Sequence, residues 1–94
     1  MRLRVQYTGQ LRTVIGHTEE HVDLPEGSDL TILLSHLASR HGEGTRPHLL
    51  AANGGVQPGL MVVVNGRAHS ARDAESRVLN AEDTVLLMPP IAGG

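Results

Sequence analysis

From Leu30 to His41 this chain repeats its apolar residues at one spacing. Leu30, Leu33, Leu34 and Leu37, then His41, follow the i, i+3, i+4, i+7 rule of an amphipathic helix. Ser28 is well suited to cap that helix, Asp29 lies in the first turn where the helix dipole favours a negative charge, and Gly42 is a natural C′ residue. The leucine stripe has to be buried against another element. At 94 residues the chain has material for one domain and one modest core, enough for a single sheet with one or two helices across one face. A core of that size does not also wall off a deep pocket, so any chemistry is expected to be shared with a partner.

The rest of the sequence supplies the sheet. Leu3, Val5 and Tyr7 alternate with Arg2, Arg4, Gln6 and Thr8, the period of a half-buried strand. Gly9 breaks it, Leu11, Val14 and Ile15 are spaced like a single helical turn, and Gly16 ends that segment. Thr18 to Leu24 resumes the alternation, with Val22 and Leu24 inward and Glu19, His21 and Asp23 outward, and should pair antiparallel with the first strand. Pro25-Glu26-Gly27 has turn chemistry. Glu43 to Gly59 carries four glycines and two prolines around Arg46–Asn53, and is expected to be a long, partly ordered surface connection with one or two helical turns. Met61 to Val64 is a strand, Asn65-Gly66 a strong hairpin signal, and Arg67 to His69 a short return. Ser70 to Asn80 is a polar loop with Val78 and Leu79 as its apolar anchor. Ala81-Glu82-Asp83 then turns into a last strand, Thr84 to Met88, which Pro89 and Pro90 stop.

The order is strand, strand, helix, strand, short strand, strand. It fits an α+β chain with a mixed sheet of four to five strands and one main helix on one face. The first and last strands would lie side by side and parallel in the centre. That arrangement is the β-grasp, or ubiquitin-like, fold, expected over residues 1–90 with 91–94 as a flexible C-terminal Gly-Gly tail. Met61-Val62-Val63-Val64 and Val85-Leu86-Leu87-Met88 are apolar at every position, so both faces of the sheet carry apolar side chains there. One helix covers one face. The other is expected to leave an exposed apolar patch near the tail, unless the 43–59 connection folds back over it.

Composition removes several classes of function. A formal charge of -2 and a single aromatic residue, Tyr7, leave neither an electrostatic footprint nor a stacking platform for nucleic acid. Without cysteine there is no thiol nucleophile, zinc–thiolate site or protein-ligated iron–sulfur cluster. The absence of disulfides, of an apolar run long enough for a signal peptide, and of a membrane span leads to a cytoplasmic expectation. The histidines His17, His21, His36, His41, His48 and His69 form no metal-ligand motif, so no metal is expected. All eight basic residues are arginine. A GC-rich genome accounts for that, and so does the advantage of an activated carboxyl end that meets no lysine amine.

That carboxyl end is the one segment with a chemical reading. The sequence finishes Pro89-Pro90-Ile91-Ala92-Gly93-Gly94. A terminal carboxylate is an anion at neutral pH and resists nucleophiles until it is made into a mixed anhydride. To be adenylated it must thread into another protein's nucleotide site, where residues without side chains lie close to the channel walls. Gly93 and Gly94 meet that need, and Pro89 and Pro90 would stiffen the base of the tail.

The strand order, the Val62-Val63-Val64-Asn65-Gly66 hairpin, the Gln10-Leu11-Arg12 to Gly16 loop, the Leu79-to-Val85 turn segment and this ending resemble the ubiquitin-like sulfur carriers, in particular the small subunit of molybdopterin synthase. The family usually has a Gly-Asp or Asp-Gly pair before its last strand, where this chain has Ala81-Glu82-Asp83. The resemblance implies a cycle on Gly94, with Gly93 beside it. An E1-like adenylating enzyme, using ATP, activates the carboxylate, and a persulfide donor replaces the adenylate with sulfur. The thiocarboxylate then gives that sulfur up inside the large catalytic subunit of a synthase. No cofactor is expected on the carrier itself, which works as a non-catalytic subunit. Leu86, Met88, Pro89, Pro90, Ile91 and Ala92 are the expected partner contacts. The rival readings are a carrier for cysteine or thiamin synthesis or tRNA thiolation, a ubiquitin-like protein modifier, and a plain interaction module.

Overall fold

The computed structural model describes residues 1–70 and 77–89. The elements run β1 (Arg2–Tyr7), α1 (Gly9–Ile15), β2 (Glu19–Asp23), α2 (Leu30–His41), α3 (Arg46–Leu49), β3 (Met61–Val64), β4 (Arg67–Ser70) and β5 (Thr84–Met88). One five-stranded sheet is ordered β2-β1-β5-β3-β4. β1 and β5 are parallel, from Arg4 beside Thr84 to Tyr7 beside Leu87, and every other pairing is antiparallel. This is the β-grasp arrangement read from the strand order, with β5 in the middle.

The alternation in each strand decides which face α2 covers. Leu3, Val5, Tyr7, Val22, Val62, Val64, Val85 and Leu87 are buried against Leu30, Leu33, Leu34, Leu37 and Ala38 of α2 in one core. The cap of α2 is Asp29 rather than Ser28. The Asp29 carboxylate accepts from the Ile32 amide at 2.9 Å, whereas the buried Ser28 hydroxyl donates back to the Pro25 carbonyl at 2.7 Å and closes the preceding turn. Both side chains are good cappers, and the one whose backbone is already extended at the helix entrance takes the role.

The connection after α2 is the largest departure from the sequence reading. Thr45, Leu49, Leu50, Val56 and Leu60 are buried, and Leu50 pairs with Val56 in an isolated bridge. Residues 43–59 are therefore part of the core, packed beside α2 on the helix side of the sheet. The glycines and prolines that suggested a loose loop shape its turns, while the spaced apolar residues pin it down. Two smaller expectations also change. Val14, on α1, and Val78, before β5, are 40% and 55% exposed, so Leu11 with Ile15 and Leu79 are the anchors of those segments.

Turn chemistry fixes the register of β3 and β5. Asn65 and Gly66 have φ of 51° and 86°, the left-handed pair that a two-residue hairpin requires. The Asn65 side chain donates to Asp83 Oδ1 at 2.8 Å and accepts from the Thr84 amide at 2.9 Å. Asp83 Oδ2 in turn accepts from the Asn80 amide at 2.8 Å. One buried carboxylate thus joins the β3–β4 hairpin to the turn that launches β5. Glu82 sits in that turn at φ 72°, the left-handed conformation for which glycine is favoured.

Candidate functional site

The sheet has a second face, and among the described residues no helix lies over it. Cross-strand partners share a face, so the register builds this surface row by row. Met61 lies opposite Met88, and Val63 opposite Leu86; Gln6 flanks Leu86 on the far side of β5, and Ala68 flanks Val63. Met61 and Met88 are 41% and 40% exposed, and Val63 and Leu86 are half-buried. The apolar half of the open face is therefore a strip on β3 and β5, ending where β5 ends. Its position follows from having apolar residues at every place from Met61 to Val64 and from Val85 to Met88 on two adjacent strands. Residues 43–59 do not cover it, because they lie on the helix side.

The other half of the open face is polar and internally paired. Arg4 holds Glu19 with two hydrogen bonds, from Nε at 2.9 Å and from Nη2 at 3.1 Å, and Arg2 lies 3.9 Å from Asp23. The shallow groove lined by Arg2, Arg4, His21, Glu82 and Thr84 is thus balanced in charge. A second groove, lined by Arg46, Pro47, Leu50 and Gln57, lies on the 43–59 segment. Neither of these gathers a nucleophile with a base.

At the edge of the helix side a polar cluster joins three elements. Glu20 of β2, 12% exposed, accepts the Tyr7 hydroxyl at 2.6 Å, lies 2.6 Å from His41 Nε2 and pairs with Arg40 at 3.3 Å. Burial alone would raise the Glu20 pKa. The hydrogen bonds from Tyr7 and His41, with the charges of His41 and Arg40, outweigh it and hold the carboxyl below its ordinary value. The Tyr7 hydroxyl is pushed well above its ordinary range, first by burial and then by its bond to Glu20. The hydrogen bonds and ion pair tie β1, β2 and α2 together, and the cluster is closed by its own partners.

The expected contact residues fall into two groups. Leu86 and Met88 lie together on the open face, and Pro89 is half-buried at the end of β5. Pro90, Ile91, Ala92, Gly93 and Gly94 lie outside the described residues, as does the boundary drawn between 90 and 91. The sequence reading did not single out Met61 and Val63 as contacts, although the register with Leu86 and Met88 completes the strip. It also missed Thr8 and Gly9. The Thr8 hydroxyl donates to the Leu87 carbonyl at 3.2 Å, and a side chain at Gly9 would meet Pro89 Cγ at 3.5 Å. No local pattern links residues 8 and 89; the parallel pairing of β1 with β5 does. Among the described residues no group of three or more histidines and carboxylates could hold a metal, and no helix is long and apolar enough to cross a membrane.

Comparison with known proteins follows the same lines. The sequence is 25% identical over 99 residues to ubiquitin-related modifier 1 of Yarrowia lipolytica, with the whole of both chains covered. The fold superposes on SAMP1 of Haloferax volcanii with a TM-score of 0.85 at 22% identity, covering 100% of both chains. It superposes on a putative molybdopterin converting factor, subunit 1, of Pyrococcus furiosus with a TM-score of 0.75 at 27% identity, covering 97% of this chain and 99% of that one. The ThiS family model matches residues 5–94, and the chain therefore belongs to the ThiS family, the ubiquitin-like sulfur carriers.

Proposed function

We infer that the chain carries sulfur as a thiocarboxylate on Gly94. An E1-like adenylating enzyme would join the Gly94 carboxylate to AMP from ATP with loss of pyrophosphate. The outer sulfur of a persulfide donor would then displace AMP to give an acyl disulfide. A second thiol of the donor machinery would cleave its S–S bond by forming a disulfide with the donor sulfur, and the released thiocarboxylate would deliver its sulfur in a partner's active site. The observation that carries this reading is that the apolar strip, over which no described helix lies, ends at Met88, the last residue of β5. A partner docked on Met61, Val63, Leu86 and Met88 holds the root of the C-terminal segment at its own surface.

The acceptor reading made from the sequence is molybdopterin synthesis, with the large catalytic subunit of the synthase as partner. A subunit of molybdopterin converting factor among the structural neighbours favours it. A second reading has its own support: the relative from Yarrowia lipolytica carries the name of a modifier, and a modifier is joined to other proteins through its C-terminal carboxyl. Both readings use the same activated Gly94.

Intact mass of the protein purified from its native cells, with and without an alkylating reagent, tests the reading. A species heavier by the exchange of one oxygen for sulfur, localised to Gly94, is expected. Unmodified carboxylate together with Gly94 in isopeptide linkage to other proteins would replace the carrier with the modifier.

A further inference from the structure

The point at which the chain leaves β5 is built by residues from the other end of the sequence. β1 runs parallel to β5 and Tyr7 sits beside Leu87, so the corner that follows β1 is brought next to the residues that follow Leu87. Two contacts result. The Thr8 hydroxyl donates to the Leu87 carbonyl at 3.2 Å. Gly9, at φ 55°, turns the chain into α1, and the Pro89 ring lies one side-chain carbon away from it: a Cβ there would stand 3.5 Å from Pro89 Cγ and 3.9 Å from Cδ, in ordinary contact, and any longer side chain would press on the ring. Proline fixes its own φ. A proline whose ring stands beside a fixed corner of the chain has little room to swing towards it.

We propose that Thr8 and Gly9 are positioning residues, a seat for Pro89 that aims the C-terminal segment at the adenylating enzyme. The proposal rests on the sulfur-carrier reading above and adds how the reacting carboxylate is presented. Docking and aiming are then separate jobs. The strip of Met61, Val63, Leu86 and Met88 supplies affinity, and the seat supplies direction. A carboxylate misplaced by about an ångström in a nucleotide site loses up to ~100-fold in rate, whereas the docking surface and its affinity are untouched. The signature of the seat is a fall in kcat at constant KM.

The test measures Gly94 adenylation by ATP–pyrophosphate exchange with the E1-like enzyme of the same source, for the full chain and its variants. Thr8→Val removes the hydroxyl, and Thr8→Ser restores it. Gly9→Asn tolerates the left-handed backbone but adds a side chain against Pro89, whereas Gly9→Val adds backbone strain as well. The expected result is a kcat lower by about tenfold for Gly9→Asn, a smaller loss for Thr8→Val that Thr8→Ser recovers, and KM within twofold throughout. In a Pro89→Gly background, Gly9→Asn should cause no further loss, because the ring that the added side chain meets is gone. Amide NMR shifts of residues 91–94 should move in Gly9→Asn while those of β3 and α2 stay, which reads the seat without the enzyme. Absence of adenylation of the unaltered chain would overturn the carrier reading on which the proposal rests. Normal adenylation with Gly9→Asn at the unaltered kcat, or losses that add fully in the Pro89→Gly background, would overturn the seat alone.

Discussion

Replacing Glu20 by glutamine should remove a large part of this small domain's stability, and in a way that depends on pH. The carboxylate receives Tyr7 from β1 and binds His41 and Arg40 at the end of α2, so it joins the edge strand to the sheet and to the helix. Hydrogen bonds to a charged partner are worth about 1.5–3 kcal/mol, and neutral ones about 1 kcal/mol. Glutamine can place its oxygen where Oε2 accepts from Tyr7, but its amide nitrogen then faces Arg40, donor against donor. The loss is expected to be about 2 kcal/mol, or roughly 8–16 °C in Tm for a domain of this size. Because the Glu20 pKa is lowered in the fold, the stability it adds is present above its ordinary value of 4.5 and is lost as pH falls through the folded-state value. Urea denaturation across the acid range, followed by far-UV circular dichroism, measures the gap between the two proteins. It should be full near neutrality and close on acidification. A gap that stays constant on the acid side, or one below about 0.5 kcal/mol at neutral pH, would refute the claim that an ionised Glu20 ties these elements together.

Four further outcomes follow from the geometry. Tyr7 is the single tyrosine and its pKa is raised, so the stability tied to its neutral form is present below 10.0 and lost as pH rises; tyrosinate absorbance should appear together with unfolding rather than before it. Asp83→Ala leaves the Asn65 side chain and the Asn80 amide without their acceptor and should cost about 1–3 kcal/mol in chemical denaturation. Glu82→Gly relieves a left-handed non-glycine residue and should raise stability by up to about 1 kcal/mol, read as a higher Tm. Met61→Lys with Met88→Glu, opposite charges facing each other across β3 and β5, should leave stability within about 1 kcal/mol but raise the KM of the adenylating enzyme by about tenfold or more, the opposite split from the Gly9 variants.

Local rules made the strands, α2 and the Asn65-Gly66 hairpin legible, because periodicity and turn preference act over a few residues. The central place of β5 was legible too, from the order of the elements, which sets the first and last strands side by side in the middle of the sheet. What escaped the sequence reading depends on pairings between distant segments. Residues 43–59 looked like a loop because glycine and proline dominate a short window. Their burial depends on Leu49, Leu50, Val56 and Leu60 finding the flank of α2, which a window does not see. Glu20 was passed over for the same reason. The alternation puts it on the inward side with Val22 and Leu24, but no partner for a carboxylate stands near it in the sequence, and only the approach of Tyr7 and His41 makes it an anchor.

The two faces of the sheet divide the work, and that division makes the docking and tail hypotheses separable by mutation. Side chains on the helix face hold the fold, with Leu87 and Val85 of β5 fully buried there. The alternate residues of the same strand, Leu86 and Met88, face outward, in the strip proposed for docking. One strand therefore carries both loads, and a one-residue slip in its register would exchange them. The Asn65–Asp83 network guards against that slip at the start of β5, and the Thr8–Leu87 hydrogen bond guards against it at the end. Gly9 and Pro89 stand just beyond the second guard, at the root of the segment proposed to enter another protein's site. If the register of β5 is what aims the C-terminal segment, weakening either guard should lower kcat for adenylation before it lowers the affinity of docking. Asp83→Ala, assayed well below its own Tm, tests that order from the opposite end of the strand.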